Sequence, residues 1–198
     1  MTQDEVADLV ALVGSRLCHD LVSPLGAIGN GLELLAMAGG GANDEMQLVT
    51  ESVAHANARL KFFRVAFGQA AGDQRLGHRE IVALLDDIAL GGRLSFDWQP
   101  EGDQARREVK LGFLAVLCLE TALPWGGRII ISTAGGGWRL AAEARRTRPD
   151  PDLWARLDGG TAPLAPAQVQ FGLLATEAAR QGRRTGWQIT ATSAEITF

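Results

Sequence analysis

The chain has 198 residues, 46% of them hydrophobic, a formal net charge of −4 and a pI near 5.4. Such a length and composition give a globular protein of one domain or two small ones with a real core, and exclude a disordered chain. The acidic balance argues against nucleic acid or an anionic membrane as a partner, since both need a basic surface.

The opening MTQDEVADLV carries early acids and no basic stretch, so no signal peptide is expected. The longest apolar run, near Leu111–Pro124, contains Glu120 and is too short to cross a bilayer. Cys18 and Cys118 lack metal-ligand spacing and read as reduced thiols of a cytoplasmic protein.

Val6, Val10, Val13, Leu17, Leu21, Leu25, Ile28, Leu32 and Leu35 recur in threes and fours, which predicts a helix over about Gln3–Met37. The glycines of AGGGAN end it, and Asn43 or Asp44 can cap the next helix. Over about Asp44–Ala70, Met46, Val49, Val53, Ala56, Leu60, Phe63 and Phe67 form a coiled-coil-like seam. Two long helices and a short turn make an antiparallel hairpin, which alone buries little of either seam. Pairing two hairpins gives a four-helix bundle, so a homodimer through Gln3–Ala70 is expected.

Gln69–His78 reads as a linker between a helical hairpin, residues 1–72, and a second domain, residues 73–198. After it, REIVALLDDIAL reads as a helix and RLSFDWQ as a strand. VKLGFLAVLCLETAL is an apolar helix, and RIIISTAGGGWRLAAEARR a strand hairpin turning at Gly135–Gly137. APAQVQFGLLATEAARQG is another helix, and GWQITATSAEITF holds two closing strands. This alternation predicts a sheet covered on one face by helices, and an α+β protein overall.

His19 interrupts the first helix. At about 100° per residue it falls opposite the apolar arc and faces solvent. Ser15, Ser23, Gly26 and Asn30 share its stripe, all small or modest, so another protein surface can approach it closely. Asp20 follows directly; a carboxylate can hold one imidazole nitrogen as N–H and leave the other free as a nucleophile. Pro24 removes the N–H bond to the carbonyl of Asp20 and tends to kink the helix. An isolated exposed histidine is usually plain surface, and His55 and His78 are read so.

The stretch H-D-L-V-S-P-L resembles the H-box of two-component histidine kinases, although Val22 departs from the basic residue often found there. The wider C-H-D-L-V-S-P-L-G-A-I-G-N-G-L-E-L-L, with K-F-F-R-V-A-F-G at Lys61–Gly68, is similar to the ChpT-type histidine phosphotransferases of alphaproteobacteria. The likeness covers nearly the whole chain, the C-terminal half only in outline. It implies a dimeric bundle followed by a degenerate Bergerat-type α/β sandwich. It makes His19 the phosphoacceptor and Asp20 its activating carboxylate. Ser15, Arg16, Ser23, Gly26, Asn30, Lys61, Phe62 and Arg64 are then the expected partner-binding residues.

Kinases of this kind bind ATP in the second domain. Here Thr121 stands where an N-box asparagine is expected, and that segment holds no asparagine. The D-x-G-x-G box is absent, and only Gly172 survives from the G-x-G-x pattern of the phosphate loop. Gly135–Gly137 and Gly159–Gly160 lack the flanks of a Walker loop. The expectation is a domain that binds no nucleotide and serves as an arm or docking surface. Arg145, Arg146 and Arg148, and Arg180, Arg183 and Arg184, are clusters that could meet an acidic receiver domain; solvated surface is the simpler reading.

The resemblance then implies a phosphorelay shuttle. Phosphate comes from the receiver aspartate of a hybrid histidine kinase, rests on His19, and leaves to response regulators of the CtrA and CpdR kind. The chain binds no cofactor or metal; Mg²⁺ arrives with the partner receiver. The rivals are an active kinase, a non-catalytic receiver-binding scaffold, and a receiver phosphatase using Ser23.

Overall fold

The computed structural model describes residues 3–37, 43–70 and 72–198. The glycine turn and the side chains of its two candidate caps, Asn43 and Asp44, lie outside the described residues. Helix α1 (Gln3–Met37) runs without a break through Pro24, which is buried. It packs along α2 (Asn43–Ala66) as the hairpin the periodicity predicts.

Helix α2 stops earlier than its apolar pattern suggests. At Gly68 a Cβ would lie 2.2 Å from the carbonyl oxygen of Arg64, so the chain turns there on a residue without one. Arg106 donates to the carbonyls of Arg64 (2.8 Å) and Gln69 (3.2 Å), serving acceptors that the helix end leaves open.

The segment read as a linker is instead part of the domain. Arg75–Leu76 (β1) pairs antiparallel with Gln104–Ala105 (β3), and Leu76 is buried. His78 opens α3 (His78–Ala89), with its Nδ1 3.0 Å from the carbonyl of Pro100, so it is a tied, half-buried residue rather than plain surface. Two-residue strands carry no period, which is why the sequence shows no sign of them.

The main sheet has the order β2-β4-β5-β7-β6, from β2 (Leu94–Trp98), β4 (Gly127–Ala134), β5 (Gly137–Glu143), β6 (Gly186–Ile189) and β7 (Ser193–Thr197). β2 runs parallel to β4 and the other neighbours are antiparallel. Ala134 pairs with Gly137, leaving Gly135 and Gly136 at φ +60° and +80°. Those two positive values are what a two-residue hairpin turn of the primed type requires. Ile129, Ile131, Trp138, Leu140, Ala142, Ala194 and Ile196 point to the core. On the other face Arg128 pairs with Asp97 (2.7 Å) and Arg139 with Glu195 (2.6 Å). This alternation is that of a sheet covered on one side.

Helix α4 (Arg106–Ala122) is buried nearly all round from Leu111 to Leu119 and forms the axis of the core, with α6 (Val169–Arg180) beside it. A short helix, α5 (Pro151–Trp154), and a 3-10 turn at Ala155–Asp158 precede α6. Asp150 caps α5 through the backbone N–H of Leu153 (3.2 Å).

The hairpin and the C-terminal part share one hydrophobic core. Phe62, Phe63, Val65 and Ala66 of α2 belong to the same buried cluster as α3 and α4. Phe62 lies flat on Phe113, with ring centroids 4.3 Å apart and planes 4° apart. Phe62 was expected to face a docking partner; it is fully buried, because the C-terminal part covers that side of α2. The seam of α2 is divided. Phe63 is buried, while Met46, Val53 and Leu60, together with Val22, Leu25 and Leu32 of α1, are 41–65% exposed.

Phe62→Ala should cost about 3–5 kcal/mol of unfolding free energy, the usual toll of deleting a buried aromatic ring. Urea denaturation checks this, with the exposed neighbour Lys61→Ala expected to stay within about 0.5 kcal/mol of the parent.

Candidate functional site

The side chain of His19 is 80% exposed on α1. Ser15, Ser23, Gly26 and Asn30 are exposed along the same stripe, and beyond its own turn of helix nothing lies within 4 Å of where a Cβ on Gly26 would stand. The helical spacing thus presents an imidazole on an open, low-relief face, as the sequence predicts.

Behind the ring the environment is ordered. Nδ1 of His19 lies 3.0 Å from Oδ1 of Asp20. An ionised carboxylate only accepts, so Nδ1 is the donor and Nε2 keeps its lone pair toward solvent. The other oxygen, Oδ2, accepts from Nε of Arg16 at 2.8 Å. Arg16 in turn donates from Nη1 to the carbonyl of Ala167, 2.6 Å away in the C-terminal part. Arg16 and Asp20 are only 12% and 14% exposed.

A groove of about 1100 Å³ opens beside His19. Ser23, Pro24 and Ala27 of α1 form one wall, and Glu51, Ser52, His55 and Arg59 of α2 another. The third wall is the α3–β2 turn, Leu90–Gly92, whose Leu90 is 69% exposed. Sequence reasoning missed this turn as a neighbour of His19, since only the tertiary packing of α3 on α2 brings it there. Lys61 borders the groove with Nζ 3.8 Å from Asp87 Oδ2, both more than a third exposed. Arg64 is exposed, and Phe62 is absent from this surface.

The residues weighed for a nucleotide do other work. Oγ1 of Thr121 donates to the carbonyl of Cys118 within its own helix (2.7 Å). A Cβ on Gly172 would lie 3.0 Å from both Leu9 of α1 and Leu164, so this glycine allows α6 to approach the hairpin closely. The N–H of Gly160 bonds back to the carbonyl of Ala155 (2.7 Å), closing the 3-10 turn. Arg183 is not a free surface charge: its Nη2 sits 2.7 and 2.8 Å from the two oxygens of Glu108, which also accepts from the indole of Trp138. Arg146 stacks over Trp125 at 3.6 Å, and Arg145, Arg148, Arg180 and Arg184 are exposed. Cys18 is exposed; burial pushes the Cys118 thiol well above its ordinary pKa. Among the described residues no cluster of three His, Cys, Asp or Glu could hold a metal, and no helix is long and apolar enough to cross a membrane.

Residues 78–193 match the family of the histidine phosphotransferase C-terminal domain. Across the whole chain the sequence is 36% identical to the protein phosphotransferase ChpT of Brucella abortus (strain 2308), covering 96% of this chain and 94% of that one. The chain belongs to the histidine phosphotransferase family. It is a protein phosphotransferase of a phosphorelay, working through histidine. A bacterial phosphotransferase of known structure superposes with a TM-score of 0.81 at 28% identity, covering 100% of this chain and 97% of that one. The histidine kinase ThkA, solved with the response regulator protein TrrA, has a TM-score of 0.51 at 9% identity over 98% of this chain and 63% of its own. That second likeness is one of fold: the helical hairpin followed by a mixed sheet is the layout of a histidine kinase core. The phosphotransferase therefore has the α+β architecture that its H-box-like motif implies.

Proposed function

We propose that His19 is the phosphoacceptor and that the chain shuttles a phosphoryl group between receiver domains. The observation that carries this is the exposed imidazole whose Nδ1 is held by Asp20, at the edge of a groove large enough for a protein element. The donor is the phosphoaspartate of a hybrid histidine kinase receiver, and the acceptors are aspartates of response regulators.

In the first step Nε2 attacks phosphorus in line. The N–P bond forms as the bond to the aspartyl oxygen breaks, and that oxygen leaves with the electron pair as a carboxylate. The proton on Nδ1 stays, so the ring becomes cationic, and Asp20 at 3.0 Å balances it. In the second step an acceptor carboxylate attacks phosphorus and the electron pair returns to Nε2. Such transfer is mostly positioning and charge neutralisation. The chain contributes a rigid helix, one ring nitrogen free and the other held. The receiver contributes Mg²⁺ and its own cation.

The exposed apolar rows support a homodimer. Met46, Val53 and Leu60 recur every seventh residue on α2, and Val22, Leu25 and Leu32 flank them on α1. Rows of this spacing fit a second hairpin and complete a four-helix bundle. His19 lies one turn from Val22, at the margin of the row, with its side chain exposed. The roles found for Thr121 and Gly172, together with the missing nucleotide boxes, support a second domain that binds no ATP. The compartment is the cytoplasm, where receivers and reduced thiols are found.

The test is a labelled transfer assay with a phosphorylated hybrid-kinase receiver as donor, beside ATP alone. Acid-labile label should appear on the parent only with the receiver, and His19→Ala should carry none while remaining folded. Label from ATP alone would make the chain a kinase, and transfer through His19→Ala at the parent's rate would remove His19 from its role. Asp20→Ala should slow labelling by roughly 10²-fold or more, the range over which a positioned acid–base group contributes. In light scattering the parent should run as a dimer, and Leu25→Glu with Val53→Glu should run as a monomer.

A further inference from the structure

We propose that Arg16 is a positioning residue that fixes the tautomer of His19 from the C-terminal part of the chain, and is not a docking contact. This rests on His19 being the phosphoacceptor.

A continuous hydrogen-bonded path leads from the core to the imidazole. The buried Gln170 donates from Nε2 to the carbonyl of Leu117 in α4 (3.3 Å) and to the carbonyl of Ala167 (3.0 Å). The carbonyl of Ala167 accepts from Nη1 of Arg16 at 2.6 Å. Nε of the same guanidinium donates to Oδ2 of Asp20 at 2.8 Å, and Oδ1 of Asp20 accepts from Nδ1 of His19 at 3.0 Å. Each link faces one way. Carbonyl and carboxylate oxygens accept, guanidinium and amide nitrogens donate, so the last donor must be Nδ1–H of His19.

The guanidinium is suited to this place because its nitrogens point in fixed, different directions. One edge holds the carboxylate while another reaches the Ala167 carbonyl. At 12% exposure Arg16 offers a docked protein little surface, whereas Ser23 and Lys61 remain open around the groove. Without Arg16, His19 is the one remaining hydrogen-bond partner of the Asp20 side chain among the described residues, and the carboxylate is free to turn to water. The ring then samples both tautomers, and the form with Nε2–H has no lone pair there for phosphorus. The C-terminal part thus enters the chemistry without touching the phosphoryl group.

The test uses the full chain with Arg16→Met, which keeps the bulk and removes the donors, and Arg16→Lys, which keeps charge and covers a folding failure of the first. Lysine has a single donor centre and cannot hold Asp20 and Ala167 as the fork does. Two donors are compared: a phosphorylated receiver domain, and phosphoramidate, which needs no docking. Long-range nitrogen–proton NMR reads the His19 tautomer directly. The expected result is a dominant Nδ1–H tautomer in the parent and a mixture in the folded variant. Labelling should fall about tenfold with both donors, the lower end of what losing the outer partner of a metal-ligating histidine costs. An unchanged tautomer overturns the proposal, as does a loss confined to the receiver donor, which would make Arg16 a docking residue. A parent that takes no label from either donor would defeat the phosphoacceptor reading, while the NMR comparison would still decide the role of Arg16.

Discussion

The stack of Phe62 on Phe113 is the contact on which the rest of the arrangement depends. It joins the end of the helical hairpin to the central helix of the second part, so that both grow from one hydrophobic core. Aromatic burial and a ring of polar ties oppose any swing of the second part against the hairpin. Arg106 holds the end of α2, Arg59 reaches Glu120, and Arg16 reaches Ala167. Close-packed interiors have low compressibility and resist sliding, so the His19 groove keeps the third wall that the α3–β2 turn supplies.

The same packing divides α1 into faces with separate duties. Arg16, Asp20 and Pro24 turn inward, Val22, Leu25 and Leu32 stand exposed in an apolar row, and His19 lies between the two, against Asp20 and one turn from Val22. A helix has room for three such faces when the inward one is narrow. It is narrow here because part of the inward surface is polar: the Arg16–Asp20 pair occupies positions where a bundle helix would ordinarily place aliphatic side chains. That local departure from the apolar rule sits beside the site, where departures of this kind are expected.

Much of this was legible in the sequence, and the gaps have physical reasons. The 3.6 period of Val13, Leu17, Leu21 and Ile28 and the alternation of Ile129, Ile131, Trp138 and Leu140 report burial directly, so the hairpin and the sheet could be read. The pair Gly135–Gly136 declared its turn because both residues need positive φ. The direction in which a second body covers a helix is a different matter. Phe62 lies next to the seam residue Phe63, and nothing local says that its own side is also covered. Arg183 is likewise indistinguishable from its exposed neighbour Arg184 until Glu108 is placed beside it. The role of Arg16 had a faint signal, since it stands four residues before Asp20, the spacing of a helical ion pair. Its second partner is a backbone carbonyl far along the chain, and a backbone carbonyl leaves no mark in composition.

The openness of His19 has a consequence for time. With 80% of its side chain in water, His19 as the proposed phosphoacceptor would carry its group at the open edge of the groove, exposed to solvent. On that reading, phosphorus held there would meet solvent as readily as it meets a partner. A site built so is poor storage and good wiring: what it carries must be handed on faster than water takes it. The concentration of waiting acceptors, more than the chemistry of the imidazole, then sets how much signal survives the crossing.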